Sequence, residues 1–209
     1  MKQLKRDDIL KYFEEINSQL RSRGEHGKIL LLGGAAMTIA FDARDATYDI
    51  DAIFSPKGSI EQIISDMAKT HQLTSDWLND VAKDYVTDKM KFNPFPSYSN
   101  LSISTIDAES LLAMKLTAAR TYTEDMNDSV FLMNTLNIES ETQLYNIVER
   151  YTDADKRNPA MGYFILEAYK AYQEKHKGVY HPKFLYDDND IIHIPDPPDD
   201  TSECDWEYE

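Results

Sequence analysis

Cysteine is nearly absent from this chain. The single one, Cys204, excludes an intramolecular disulfide and a cysteine-based zinc site. No apolar run approaches a membrane span, and 42% hydrophobic with 28% charged residues is the composition of a soluble globular protein, with no membrane expected among its partners. The N-terminal stretch MKQLKRDDIL has no apolar region of the signal-peptide kind, which sets the expectation of a cytoplasmic protein. Positive charge is also short, since 22 Lys and Arg face 37 Asp and Glu and leave a formal net charge of −15. Non-specific adhesion to nucleic acid or to an anionic membrane is disfavoured by that balance. Much of the deficit lies in Asp187–Glu209, which holds ten acids and no Lys or Arg. His71, His176, His181 and His193 lack metal-ligand spacing, no Ser/His/Asp nucleophile arrangement can be traced, and no repeat is visible.

What the chain does have is concentrated in Leu31–Phe54, LLGGAAMTIAFDARDATYDIDAIF. An apolar run ends in Gly33-Gly34, a small-residue helical segment follows, and Asp49 and Asp51 then stand two apart in an apolar strand, Tyr48–Phe54. Glycines let backbone bend tightly and approach a ligand, and Gly34 in particular is expected to need backbone that a β-branched residue resists. A helix starting at Ala35 would aim free N–H groups at an anion. The period of two puts both carboxylates on one strand face, with Tyr48, Ile50, Ala52 and Phe54 on the other. Two carboxylates at about 4 Å repel by roughly 4 kcal/mol at an effective dielectric near 20, and a hard divalent cation, Mg²⁺ by default, relieves that repulsion. Taken alone, a D-x-D is an ordinary solvated strand face and a Gly-Gly a tight turn. The strand–Gly-Gly–helix unit and Arg44-x-x-Thr47 favour phosphate and metal binding instead. Arg44 is left between pairing with Asp42 or Asp45 and holding a phosphate, and Thr47 between starting the strand and orienting Asp49.

These motifs resemble the DNA polymerase β-like nucleotidyltransferase superfamily, whose signature is a glycine pair followed by a D-x-D strand. More closely, the chain looks like small bacterial nucleotidyltransferase-like proteins related to the toxins of abortive-infection and toxin–antitoxin modules. The likeness covers about Lys28 to Asn137 and includes Asp76–Asp80 (DWLND), Leu111–Arg120 (LLAMKLTAAR) and Glu124-Asp125. It implies that Lys115, and less strongly Arg120, contacts phosphate or acceptor; a snorkelling surface lysine is the alternative. Two departures stand out. Relatives add a third carboxylate from a later strand, here read as Asn100–Ser104, which offers only Ser102 or Ser104, and Ala35 stands where serine is common.

Taken in order, helices are expected over Asp8–Arg23, Ala35–Phe41, from a Ser59/Gln62 capping box, briefly from Ser75, and over Ala108–Ala119 behind Asp107. Thr123, with acids Glu124, Asp125 and Asp128 near the first turn, Ser140 with Gln143, and Asn158-Pro159 begin three more, the last stopped by Gly178. Strands are expected at Lys28–Leu32, Tyr48–Phe54 and Asn100–Ser104, while Pro94 and Pro96 make Phe92–Tyr98 a loop. The expected fold is α+β, a small mixed sheet flanked by helices: a nucleotidyltransferase-like domain over 1–138, a helical region over 139–186 and a flexible acidic tail over 187–209.

The function expected is Mg²⁺- or Mn²⁺-dependent transfer of a nucleoside monophosphate from an NTP to an acceptor such as tRNA or protein, with a cognate antitoxin as a further partner. Asp49 and Asp51 would hold the metal, Gly33, Gly34, Ala35, Arg44 and Thr47 the nucleotide, and Lys115 would serve catalysis. A non-catalytic nucleotide-binding or partner-binding module on the same fold is the alternative.

Overall fold

A computed structural model describes residues 3–96, 98–120 and 123–176. The expectations for the acidic tail, Gly178, His181, His193 and Cys204 lie outside the described residues. The elements run β1 (Leu4–Lys5), α1 (Arg6–Ser22), β2 (Gly27–Leu31), α2 (Gly33–Ile39), β3 (Ala46–Thr47), β4 (Ile50–Ser55), α3 (Lys57–His71) and β5 (Leu78–Asn79). After a 3₁₀ turn (Val81–Tyr85) come β6 (Phe92–Phe95), β7 (Leu101–Ile106), α4 (Ala108–Ala118), α5 (Glu124–Thr135), α6 (Glu141–Tyr151), a second 3₁₀ turn (Ala154–Lys156) and α7 (Pro159–His176). The fold is α+β: β5-β4-β2-β7-β6 form one mixed sheet, and β1 pairs with β3 in a small ribbon.

Alternation along the strands decides which face is covered. Ile29 and Leu31 of β2, Ile50, Ala52 and Phe54 of β4, and Leu101 and Ile103 of β7 bury one sheet face against α1 and α3. Each such side chain contributes roughly 1.5–3 kcal/mol when fully buried. A second apolar cluster joins Leu32, Ala36, Met37 and Ile106 to α4, α5, α6 and α7. Helix α4 is its axis, with every residue from Ser110 to Thr117 buried, as a helix apolar on nearly all sides must be. The caps follow the sequence closely. Asp107 accepts from Ser110 N–H at 2.8 Å, Thr123 from Asp125 N–H at 3.2 Å, and Asn158 from Met161 N–H at 3.1 Å.

Four local expectations are corrected. Helix α3 begins at Lys57 behind Pro56, ahead of the Ser59/Gln62 box. The D-x-D strand starts at Ile50, and Tyr48 is 56% exposed rather than sharing the buried face of Ile50, Ala52 and Phe54. Phe92–Phe95 is a strand; it lies at the sheet edge and pairs only with β7, so Pro94 need not complete two ladders. Ser75 starts no helix: Trp77 is drawn into the core and Leu78–Asn79 pair in parallel with Ile50-Asp51.

Trp77 explains that last change. It is 1% exposed, donates its indole N–H to the Ile64 carbonyl at 3.2 Å and meets the Tyr12 ring edge-on at 5.1 Å. It pins β5 to α3 and α1. Trp77→Ala is expected to lower unfolding stability by about 3–5 kcal/mol in a denaturant titration, well above the effect of an exposed substitution.

Candidate active site

The end of β2 and the start of β4 meet at the glycine turn. The Leu32 N–H donates to the Asp51 carbonyl at 2.9 Å, and Gly33 then turns the chain into α2 with φ +50°. The left-handed backbone therefore falls on Gly33, not on Gly34. Gly33 is required twice, because a Cβ there would also collide with Asp51 Oδ2. At Gly34 the constraint is space: a Cβ would stand 2.6 Å from Thr47 Oγ1 and 3.3 Å from Arg44 Nη1. Thr47 is 5% exposed and donates to the Asp49 carbonyl at 3.0 Å, which makes it an orienting group for the loop that carries Asp49. Ala35 is wholly buried in the apolar core, so its side chain does not reach the site.

These pieces surround a cavity of about 310 Å³ that brings Gly34, Arg44, Thr47, Asp49 and Asp51 together with Arg120. A larger cavity, about 580 Å³, lies along β5 and α3, shares Asp76 and Asn79 with the first, and among the described residues has Lys69 as the one cation on its wall. The strand that adjoins β4 on its far side is β5, whereas β7 lies beyond β2. The place for a further carboxylate beside Asp51 is therefore not Ser102 or Ser104. Asn79 stands opposite Asp51, and its amide donates to Asp49 Oδ2 at 3.2 Å.

Behind the carboxylates lies a chain of ion pairs. Lys115 is 3% exposed and its Nζ lies 2.6 Å from both Asp125 and Asp128, so it is neither a surface lysine nor free to meet a phosphate. Asp128 also receives the Arg44 fork, through Nε at 2.7 Å and through Nη2. Arg44 thus pairs with an acid 84 residues away rather than with Asp42 or Asp45, and its Nη1 lies toward Gly34. Arg120 donates from Nε to Asp125 at 2.7 Å while remaining 64% exposed over the cavity. Asp125 and Asp128, read from the sequence as helix-start acids, are buried partners of this network. A signal for them was present: a lysine inside LLAMKLTAA needs buried counter-charge, and acids three apart on α5 share a helix face.

Burial pushes the Asp51 carboxyl up to about 6, with the Asp49 charge adding to it and Arg120 and Lys115 opposing. Burial also works to raise Asp125, but the charges and hydrogen bonds of Lys115 and Arg120 outweigh it and hold this carboxyl below its ordinary value. Among the described residues no group of three or more His, Cys, Asp or Glu is arranged to hold a metal ion. Asp49 and Asp51 nevertheless fit the way Mg²⁺ is held at nucleotide sites, by one or two carboxylates completed by substrate phosphates. Among the described residues no helix is long and apolar enough to cross a membrane.

Two measurements follow from this geometry. Lys115→Met should destabilise the fold by about 3–5 kcal/mol, because it removes the ammonium shared by two buried aspartates and leaves each with a single arginine partner, whereas Arg120→Ala should change stability by less than about 1 kcal/mol. Denaturant unfolding of both variants distinguishes the two roles. For Asp51, an unfolded carboxyl at 3.8 and a folded one at about 6 mean that the folded state binds more protons between these values. Stability of the metal-free protein should therefore fall as pH rises from about 4 to 6, by up to about 3 kcal/mol. Asp51→Asn should remove that slope and be the more stable protein at pH 7.

No curated protein and no solved structure shows a significant match to the chain. A family model described as a nucleotidyltransferase of unknown function (DUF6036) matches residues 7–177, a span that contains the glycine turn, the carboxylate pair and the whole ion network. The chain belongs to that family of nucleotidyltransferases.

Proposed function

We propose that this protein transfers a nucleoside monophosphate from an NTP to a hydroxyl or phosphate acceptor and releases pyrophosphate. The observation that carries the reading is the pair Asp49 and Asp51 set against the glycine turn, with Arg44 and Arg120 on the same cavity wall. A triphosphate brings anionic charge to a place where two guanidinium groups face it, and Arg120, exposed and held by one nitrogen, has donors left to engage it. Asp49 and Asp51 would hold Mg²⁺ or Mn²⁺, which when bound supplies charge neutralisation on the phosphate oxygens. The acceptor oxygen attacks the α-phosphorus, the bond to the β,γ-pyrophosphate breaks, and the acceptor's proton leaves to solvent. Lys115 serves as a positioning residue: it holds Asp125 and Asp128, and through them Arg120 and Arg44. The resemblance to abortive-infection toxins extends the proposal to tRNA or protein as acceptor and to control by a cognate antitoxin.

One observation favours a non-catalytic nucleotide-binding module. Asn79, an amide, occupies the position beside Asp51 where a further carboxylate would assist the acceptor's deprotonation.

Incubating the full chain with α-labelled NTPs, Mg²⁺ or Mn²⁺ and a cell extract tests the proposal. Label should appear on an acceptor, and Asp49→Asn with Asp51→Asn should reduce it to background without loss of the fold. Nucleotide binding with no transfer would assign the site to the module instead.

A further inference from the structure

The reaction proposed for the carboxylate cavity leaves the larger cavity of about 580 Å³ along β5 and α3 unused, a volume in the ordinary range for a binding site. Its floor is apolar, lined by the buried side chains of Phe54 from β4, Ile64 and Ala68 from α3, and Leu78 from β5. Its rim is polar and open: Glu61, Ser65 and Lys69 are exposed along α3, and Ser75 and Asp76 on the stretch that leads into β5. Asp76 and Asn79 line both cavities, so an occupant of the larger one borders the wall that carries Asp49 and Asp51. That junction is held in place. The Asn79 amide donates to the Asp76 carbonyl at 3.1 Å and to Asp49 Oδ2 at 3.2 Å, and the Ile50 N–H donates to the Trp77 carbonyl at 2.8 Å.

Charge on the rim narrows what can sit there. Among the described residues the wall sets three acids, Glu61, Asp76 and Asp80, against Lys69, which itself lies 3.8 Å from Asp66. Asp80 is matched by Lys57 at 2.8 Å and Lys83 at 3.1 Å, and Lys57 stands 3.7 Å from Glu61. Asp76, exposed at the junction, has no ion pair among the described residues. A phosphate backbone needs a run of cations to neutralise it and meets carboxylates here instead. A protein segment suits both surfaces, since an apolar side chain covers the floor and a lysine or arginine finds Asp76. Resting on the nucleotidyltransferase reading of the neighbouring cavity, we infer that the cavity along β5 and α3 seats a protein acceptor, whose Ser, Thr or Tyr hydroxyl reaches the α-phosphate past Asp76 and Asn79 while a basic neighbour pairs with Asp76. The hydroxyl oxygen bonds to the α-phosphorus, the bond to pyrophosphate breaks, and the hydroxyl proton leaves to solvent. The product is a nucleotidylated side chain, and RNA is disfavoured as acceptor.

The test incubates the full chain with the four α-labelled NTPs, Mg²⁺ and a cell extract. It compares wild type with Ser65→Trp, which fills the cavity from an exposed position on α3, and Glu61→Lys, which reverses a charge on the rim. In wild type the label should be sensitive to protease and resistant to nuclease. Both variants should reduce it, Ser65→Trp by about 10- to 100-fold. The Kd values for NTP and for inorganic tripolyphosphate should stay within about twofold of wild type, which also reports that the nucleotide site is folded. Undiminished label in Ser65→Trp overturns the acceptor seat and leaves transfer standing, and undiminished label in Glu61→Lys overturns the choice of a basic segment. Label on RNA, or on a small molecule that neither protease nor nuclease alters, overturns the protein occupant. A weaker Kd for NTP in Ser65→Trp with that for tripolyphosphate unchanged overturns it as well, because the cavity then holds the nucleoside. NTP binding with no label in any fraction, or no NTP binding by wild type, overturns the catalytic reading and the acceptor seat with it.

Discussion

A lysine ammonium held between two buried aspartates is the contact on which the site depends. Burying Lys115 alone would be prohibitive; beside Asp125 and Asp128 it becomes tolerable, because every carboxylate oxygen of the two acids meets Lys115, Arg44 or Arg120. The consequence is geometric as much as energetic. Lys115 belongs to α4, Asp125 and Asp128 to α5, and Arg44 to the loop between α2 and β3, so one set of ion pairs ties the helical cluster to the segment that delivers Asp49. The two arginines that face the cavity are oriented from behind by acids, which leaves part of each guanidinium directed at the cavity.

Against that cationic support stands a deliberate surplus of negative charge at the cavity floor. Asp51 lies over Gly33 so closely that no other residue fits beneath it, and its neighbour across the strand pair is an amide rather than a cation. A buried carboxyl beside the Asp49 charge holds its proton more tightly than usual, and Asp51 is pushed up to about 6. A cation held by Asp49 and Asp51, as proposed above, would relieve that repulsion. The glycine turn is thus less a phosphate loop by itself than the clearance that lets Asp51 sit there.

Some of this was legible in the chain. Apolar runs made β2 and β4 recognisable and the alternation of Leu101 and Ile103 with serines made β7 so, and capping residues Asp107, Thr123 and Asn158 marked three helix starts that the structure keeps. The short edge strands were not legible, because two residues in Leu78–Asn79 show no period and Pro94 argues against a strand until its place at an edge is known. A burial of Trp77 against Ile64 and Tyr12 decides the first case, and neither partner is near it in sequence order alone.

For the site the division is similar. Local sequence determined the glycine turn and the carboxylate spacing of Asp49 and Asp51, since both depend only on conformations of neighbouring residues. It pointed to Lys115 and passed over Asp125 and Asp128 as partners. Tertiary structure reversed that order, placing Lys115 behind the wall, Arg120 at the opening and Asn79 beside Asp51. The reason is that an ion pair such as Arg44 with Asp128 spans 84 residues, and whether a charge meets solvent, ligand or counter-charge is decided by which segments the core brings together, a property no local pattern carries.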